Sequence, residues 1–559
     1  MSEKPTLDYY KNALRRLRQD INNFAAVYPQ MASHLQLGPT TVEDPHVSRL
    51  IESFALISGR LDALVNDNYP RITQALMNNL YPSYLNSIPS MSIVRLSPYI
   101  TLQKNMVIPK CTLLETSPVN NHPCYFETGF ETTILPLQLS SVTTTSDKLT
   151  LELRCLDKKN NFSNINVDKL RFYINSDDIF SMDFLCFLYQ YSASISQNGS
   201  KTEAIIELVG FDNDQIMLPM QEHDFESYQL LLEFMYYKKK FFFFDLKNLD
   251  LSQVKDTLIL DIKFTKKIPA NLLTINAEQL QLNCTPIINL FKKNLEPVKI
   301  THFVTDYPLI ADKRYSEHYQ IHHISEVIDV NTTTKLPYQY ANSEAQSSSP
   351  AYYIHYHHSE LNSYQNASLT LSITDSDTLL TLSEIDLAVT GYCTNGNIPN
   401  SLMWKNTDNH FQFVDESFPI GHIQCFIHPT AAYSSHLNSE HLQEALTLIN
   451  QGQLGLYQPS SAKKSLINLL KLYNFDKSAI NTSFINSIKE VFLKEQYRYV
   501  DDNLLNPLQY GVNVEISINQ NTVLGSGLFL FEKILLGIYQ QHVAVNSFVT
   551  VTILLQDSE

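Results

Sequence analysis

Histidine offers this chain's nearest approach to a reactive centre. His318, His322 and His323 lie close together, and His355 and His357 alternate in a strand-like run, a spacing that sets two imidazoles on one face for a metal ion. No third ligand follows at a fixed spacing, so both groups read as surface or interface histidines. Cys284 or Cys393 could act as a nucleophile only with a histidine brought from a distance. Asp501-Asp502 sits in turn-like sequence, where aspartate satisfies local backbone donors. The 14 glycines build no phosphate cradle: G-x-x-x-x-G-K-S/T, G-x-G-x-x-G, G-x-S-x-G and H-E-x-x-H are all missing, and Gly525-Ser526-Gly527 reads as a turn before a helix. We therefore expect no catalytic residue, no cofactor, no metal and no enzyme activity.

Charge and length narrow the remaining classes. With 41 Lys+Arg against 57 Asp+Glu the net charge is -16, which repels phosphate backbones and anionic lipid heads. The block from Tyr236 to Phe244, with Lys238, Lys239 and Lys240 between aromatics, could stack single-stranded nucleic acid. The charge opposes that, and the block reads as a turn of three exposed lysines entering a buried strand. No nucleic acid is expected as a partner. The N-terminus lacks the apolar core of a signal peptide, and the apolar runs 230–244 and 528–539 are interrupted by charges, so a soluble protein without membrane insertion is expected. Seven cysteines, widely spaced and never C-x-x-C, read as buried thiols of a reducing compartment, hence the cytoplasm.

The elements that would carry any function begin with two apolar stripes. Leu7, Tyr10, Leu14, Leu17, Ile21 and Phe24 advance in steps of three and four, as do Leu50, Phe54, Ile57, Leu61 and Leu64 behind the Asp44-Pro45 helix start. Two narrow seams either close on each other as a hairpin or enter a bundle with other subunits. A short third helix is expected over 70–80, ended by Pro82. From Ser92 the chain alternates in period two, without the strand-helix pairs of a doubly wound sheet, and 343–350 reads as a linker. Helices around Leu442 to Ile449, Leu466 to Tyr473 and Leu528 to Gln540, with strands at Val512 to Ile518 and Val549 to Leu555, make the last part mixed. The expected fold is α+β and multidomain: a helical arm (1–92), β-rich, sandwich- or barrel-like domains (93–270 and 271–430) and a mixed C-terminal domain (431–559).

Several blocks, taken in order, resemble the TssF (VasA/ImpG) family of type VI secretion baseplate subunits. They are Asp44-Pro45-His46-Val47, Leu80-Tyr81-Pro82, Ile88-Pro89-Ser90-Met91, Cys124 to Thr128, Asn283-Cys284-Thr285-Pro286, Cys393-Thr394-Asn395 and Asn546-Ser547-Phe548. The resemblance spans nearly the whole chain. Glu127 departs from it, standing where the family has a basic residue, and so does Tyr510-Gly511, where Arg-Gly is usual. What the resemblance implies is a structural wedge subunit: two copies with one TssG, joined by TssE and TssK around the VgrG hub, in contact with neighbouring wedges. Such a plate is the platform for tube and sheath assembly, on the cytoplasmic side and docked at the inner-membrane complex. The two seams would then enter a bundle shared with TssG. A free-standing β-sandwich binding protein is the alternative.

Overall fold

The computed structural model describes residues 3–59 apart from 29, 31–45 and 47, then 86–340, 352–373, 385–433 and 455–556 with short gaps. The structure begins with α1 (Glu3–Val27). A second helix, α2, occupies 48–59. The expected helix over 70–80, the linker at 343–350, the helix around Leu442 and Asp501-Asp502 all lie outside the described residues.

A six-stranded antiparallel sheet forms the centre. Its strands are β1 (Met91–Pro98), β2 (Leu113–Thr116), β3 (Tyr125–Thr128), β4 (Cys284–Ile288), β5 (Phe411–Phe413) and β6 (Ile420–Cys425), in the order β5-β2-β3-β4-β1-β6. β1 pairs with β4 and β6, so this sheet joins strands from both sides of residue 270. Both of its faces are buried, which is why β1 and β4 read as near-continuous apolar runs. Met91, Ile93 and Ile288 face the large core, whereas Val94, Leu96 and Ile287 face a smaller one with Leu114, Phe126 and Phe411.

Around this centre stand a five-stranded sheet built on Thr257–Phe264 and Lys148–Cys155, and a four-stranded one centred on Phe243–Lys247 and Lys169–Ile174. Another sheet pairs Gln320–Asp329 with Ile385–Thr394, and another pairs Tyr352–His358 with Ala367–Ile373. The fold class is α+β, as composition and periodicity suggest.

Two helices interrupt what reads as β sequence, a correction to the expectation from periodicity. They are α3 (Asp178–Tyr191), capped by the Asp177 carboxylate accepting from Phe180 N at 3.0 Å, and α4 (Glu226–Tyr236). Every residue of α4 from Ser227 to Met235 is buried. A helix enclosed on all sides shows no amphipathic period, so its sequence resembles that of a buried strand.

At the C-terminal end come α5 (Ala462–Leu472) and α6 (Ala479–Asn486), then the strands β7 (Ile488–Tyr499) and β8 (Leu508–Asn519), then α7 (Leu528–Gln541) and β9 (Phe548–Gln556). β7 runs antiparallel to β8, and β9 runs parallel to it after the α7 crossover. α7 docks on α4: Phe531 stacks near Phe234, and a Cβ at Gly537 would meet Ser227 Oγ at 2.6 Å, so glycine permits the approach. No described helix is long and apolar enough to cross a membrane.

Candidate interaction surfaces

The two apolar seams meet different surroundings. On α1, Tyr10, Leu14, Leu17 and Ile21 are half-buried, Ala13 is buried, and Phe24 at the end of the stripe is exposed; Leu7 is helical, with its side chain outside the described set. On α2 the seam faces outward: Leu50, Phe54 and Ile57 are 70, 62 and 58 % exposed, while Ala55 on the other side is fully buried. Side chains at these spacings share one helical face, so α2 presents a row of large apolar groups to solvent. His46 is exposed just before it. Asp44, Pro45, Leu61, Leu64 and Pro82 lie outside the described residues.

The remaining motif residues stitch the central sheet rather than line a cleft. Ser90 is fully buried; its Oγ donates to Thr430 O at 2.5 Å, and its carbonyl accepts from Asn289 N at 2.8 Å. Pro89 is buried beside it. Asn283 holds φ at +57° and uses its amide as a second backbone: Nδ2 donates to Leu135 O (2.9 Å) and Oδ1 accepts from Leu135 N (2.8 Å). Pro286 sits opposite Ile93, whose carbonyl turns away to Phe426 N, so the missing proline N–H removes no bond to β1.

Asn289 and Asn395 form a buried clamp. Asn289 Nδ2 donates to Tyr125 O and to Asn395 Oδ1, Asn395 N donates to Asn289 Oδ1, Tyr125 N donates to Asn395 Oδ1, and Asn395 Nδ2 donates to His318 O. Sequence reasoning missed both asparagines as functional groups, although Asn395 stands in a motif block and Asn289 in the continuation of the one at Asn283 to Pro286.

His322 and His323 are core residues, a correction to the surface reading, and His318 is half-buried. His322 is 3 % and His323 8 % exposed. A carbonyl can only accept, so His322 Nε2–H donates to Ser87 O (2.9 Å), and Nδ1 then accepts from His323 Nδ1–H (2.7 Å). Burial holds both imidazoles neutral, with His323 pushed down to about 4. His355 and His357 share one face of Tyr352–His358, with side chains outside the described set. Among the described residues no group of three or more His, Cys, Asp or Glu could hold a metal ion.

Two buried carboxylates are held by cations. Lys240 corrects the expectation of three exposed lysines: it is wholly enclosed and bonded to the equally enclosed Glu233 carboxylate, whose other oxygen accepts from Met217 N (2.7 Å) and Leu218 N (2.8 Å). Burial lowers the Lys240 pKa, and Glu233 opposes that shift. Arg171 grips Asp245 with two bonds of 2.8 and 2.9 Å across paired strands. Burial raises Glu127 to about 7 despite bonds from the Cys111 thiol and the Lys292 backbone. None of the seven cysteines forms a disulfide; Cys111 is exposed, against the expectation of uniformly buried thiols. Among the described residues none of these groups converges on a cleft, and α2 is left with an exposed apolar row.

The family model described as "Type VI secretion system, TssF" matches residues 2–559. The chain belongs to the TssF family. This TssF-family chain is 23 % identical to the type VI secretion system component TssF1 of Pseudomonas aeruginosa, over 97 % of its own length and 95 % of that protein's. It shares its fold with a chain of the TssK-TssF-TssG baseplate subcomplex solved by cryo-electron microscopy, with a TM-score of 0.76 and 21 % identity over 91 % of this chain and 96 % of that one. It is also similar to a chain of the type VI baseplate complex, with a TM-score of 0.60 and 20 % identity over 99 % and 97 %.

Proposed function

We propose that this chain is a non-catalytic subunit of the baseplate wedge that assembles with TssK and TssG, with α1 and α2 supplying the TssG-binding seams. The observation that carries this reading is the outward row Leu50, Phe54 and Ile57 backed by buried Ala55. Three large apolar groups on one narrow helical face cost free energy in water, and a partner helix would remove them from it. Family membership supplies the context. In this reading two copies share one TssG, TssE completes the wedge, neighbouring wedges meet through these subunits around the VgrG hub, and the plate seeds tube and sheath on the cytoplasmic side.

Native mass spectrometry on this chain co-expressed with the TssG of its own genome tests the proposal. A species of two copies with one TssG is expected, lost on changing Leu50, Phe54 and Ile57 together to serine. Truncated apolar anchors at the centre of an interface cost about 2 kcal/mol or more each, enough to abolish the complex at micromolar concentrations. An unchanged complex would assign the seams to an internal hairpin.

A further inference from the structure

The C-terminal sheet has one face that closes on itself and one that outruns its cover. On the outer face Lys494 pairs with Glu515 at 2.6 Å, and the Arg498 guanidinium lies 4.9 Å from the Phe548 ring centre and donates to Gln509 at 3.2 Å. Asn513 accepts from Thr550 and Thr552. Gly511 makes room there, since a Cβ would meet the Phe548 ring at 2.5 Å.

On the inner face the paired rows run Val491/Ile516, Leu493/Val514, Glu495/Val512 and Tyr497/Tyr510, with Tyr499 beyond. The first rows are buried where α5 lies against β7 and α7 against β9. Past Val512 the strands continue without cover from a described helix. Tyr497, Tyr510 and Tyr499 are 61, 41 and 76 % exposed, with Tyr497 and Tyr510 edge-on at 5.6 Å. Beside them the exposed Glu495 carboxylate is approached only by the Tyr497 hydroxyl, at 3.5 Å, among the described residues.

We infer that this overhang of the β7–β8 hairpin is a docking surface for an arginine-bearing amphipathic helix of another subunit. A helix is indicated because α5 and α7 cover the buried end of the same face, and one more would continue their layer. Arginine is indicated because tyrosine faces attract a guanidinium and the Glu495 carboxylate beside them, met only by the long Tyr497 bond among the described residues, takes its fork. Tyrosine is also the residue type that anchors interfaces at low entropic cost. The surface belongs to the C-terminal sheet and is independent of the α1 and α2 seams.

In-cell photo-cross-linking of the full chain, in bacteria carrying the rest of the secretion system, tests this inference. p-Benzoylphenylalanine in place of Tyr499 is expected to cross-link to a helical segment of another subunit containing arginine. Glu495→Arg should lower that yield about tenfold or more, with the melting temperature and co-purification with TssG unchanged. Cross-links no stronger than those from the probe at exposed Ile480 on α6 would overturn the inference. So would cross-links to a second copy of this chain or to an arginine-free segment, or a yield indifferent to Glu495→Arg. Loss of TssG co-purification on the seam variant, read on the same material, reports separately on the baseplate reading.

Discussion

The same residue types meet opposite fates in the helical arm and in the body behind it. Phe241, Phe242, Phe243 and Phe244 follow one another through the large core without any exposure, whereas Phe54, Leu50 and Ile57 on α2 stay more than half in water. The polar groups invert in step. Lys240 and Glu233 are fully enclosed in the body, while Arg15, Arg16 and Arg18 on α1 are exposed. A core can enclose a charge only when its partner is enclosed with it, and an apolar row is left outside when its complement is another molecule. The body encloses its aromatic run together with a paired charge, whereas α2 leaves an apolar row in water that the proposed TssG seam would cover.

The contrast breaks first at the buried pair. Glu233→Ala strands Lys240 as an isolated buried charge and removes the acceptor of two backbone donors, so it should destabilise the chain by roughly 3–5 kcal/mol, read as a shift in the urea unfolding midpoint. The double change Glu233→Leu with Lys240→Met should recover much of that loss, and a double variant no better than the single one would show that the pair itself is required.

The asparagine clamp ranks next. Asn395→Ala leaves the Tyr125 N–H and the His318 carbonyl without the Asn395 side chain and should cost about 1–3 kcal/mol. Asn395→Asp should be nearly as harmful, because it places a carboxylate against the His318 carbonyl.

Glu127 sharpens the comparison with pH. Its folded pKa of about 7 stands above the ordinary 4.5, so the folded state holds this proton more tightly than the unfolded one. The favourable contribution is complete below about pH 4.5 and is lost as pH rises through 7. Glu127→Gln should accordingly raise stability by about 1–3 kcal/mol at pH 8 relative to its effect at pH 5, measured by thermal melts at the two pH values.

The smallest effect on the isolated chain belongs to the arm. The Leu50, Phe54 and Ile57 serine variant should shift the unfolding midpoint by no more than about 0.5 kcal/mol, because surface changes leave the core intact, while its binding to TssG collapses. A large loss of stability would place those side chains inside the body's own fold.

Legibility followed the range of the interactions. The seam on α2 is visible as a three-and-four spacing, and α7, β8 and β9 stand where their periodicities put them, because each depends on neighbours a few residues away. α4 was hidden because enclosure on all sides erases the period that marks a helix, whereas α3 keeps a buried stripe at helical spacing, Ser181, Met182, Phe184, Leu185, Phe187 and Leu188, that the strand reading of this stretch passed over. His322 and His323 were misread for a related reason: an imidazole is polar by type, and only a partner such as Ser87, far along the chain from His322, makes its burial tolerable.

By itself the sequence determined the absence of the familiar catalytic motifs, the acidic balance, the helical seams, the α+β class and the ordered motif blocks of the family, all carried by residue type and local spacing. The tertiary structure decided that β1 pairs with β4 and β6, that Lys240 finds Glu233 inside the core, that Asn289 meets Asn395, and that the β7–β8 hairpin outruns its helices. Those outcomes turn on which distant segments close against one another, a choice made by the summed burial and hydrogen bonding of the whole chain.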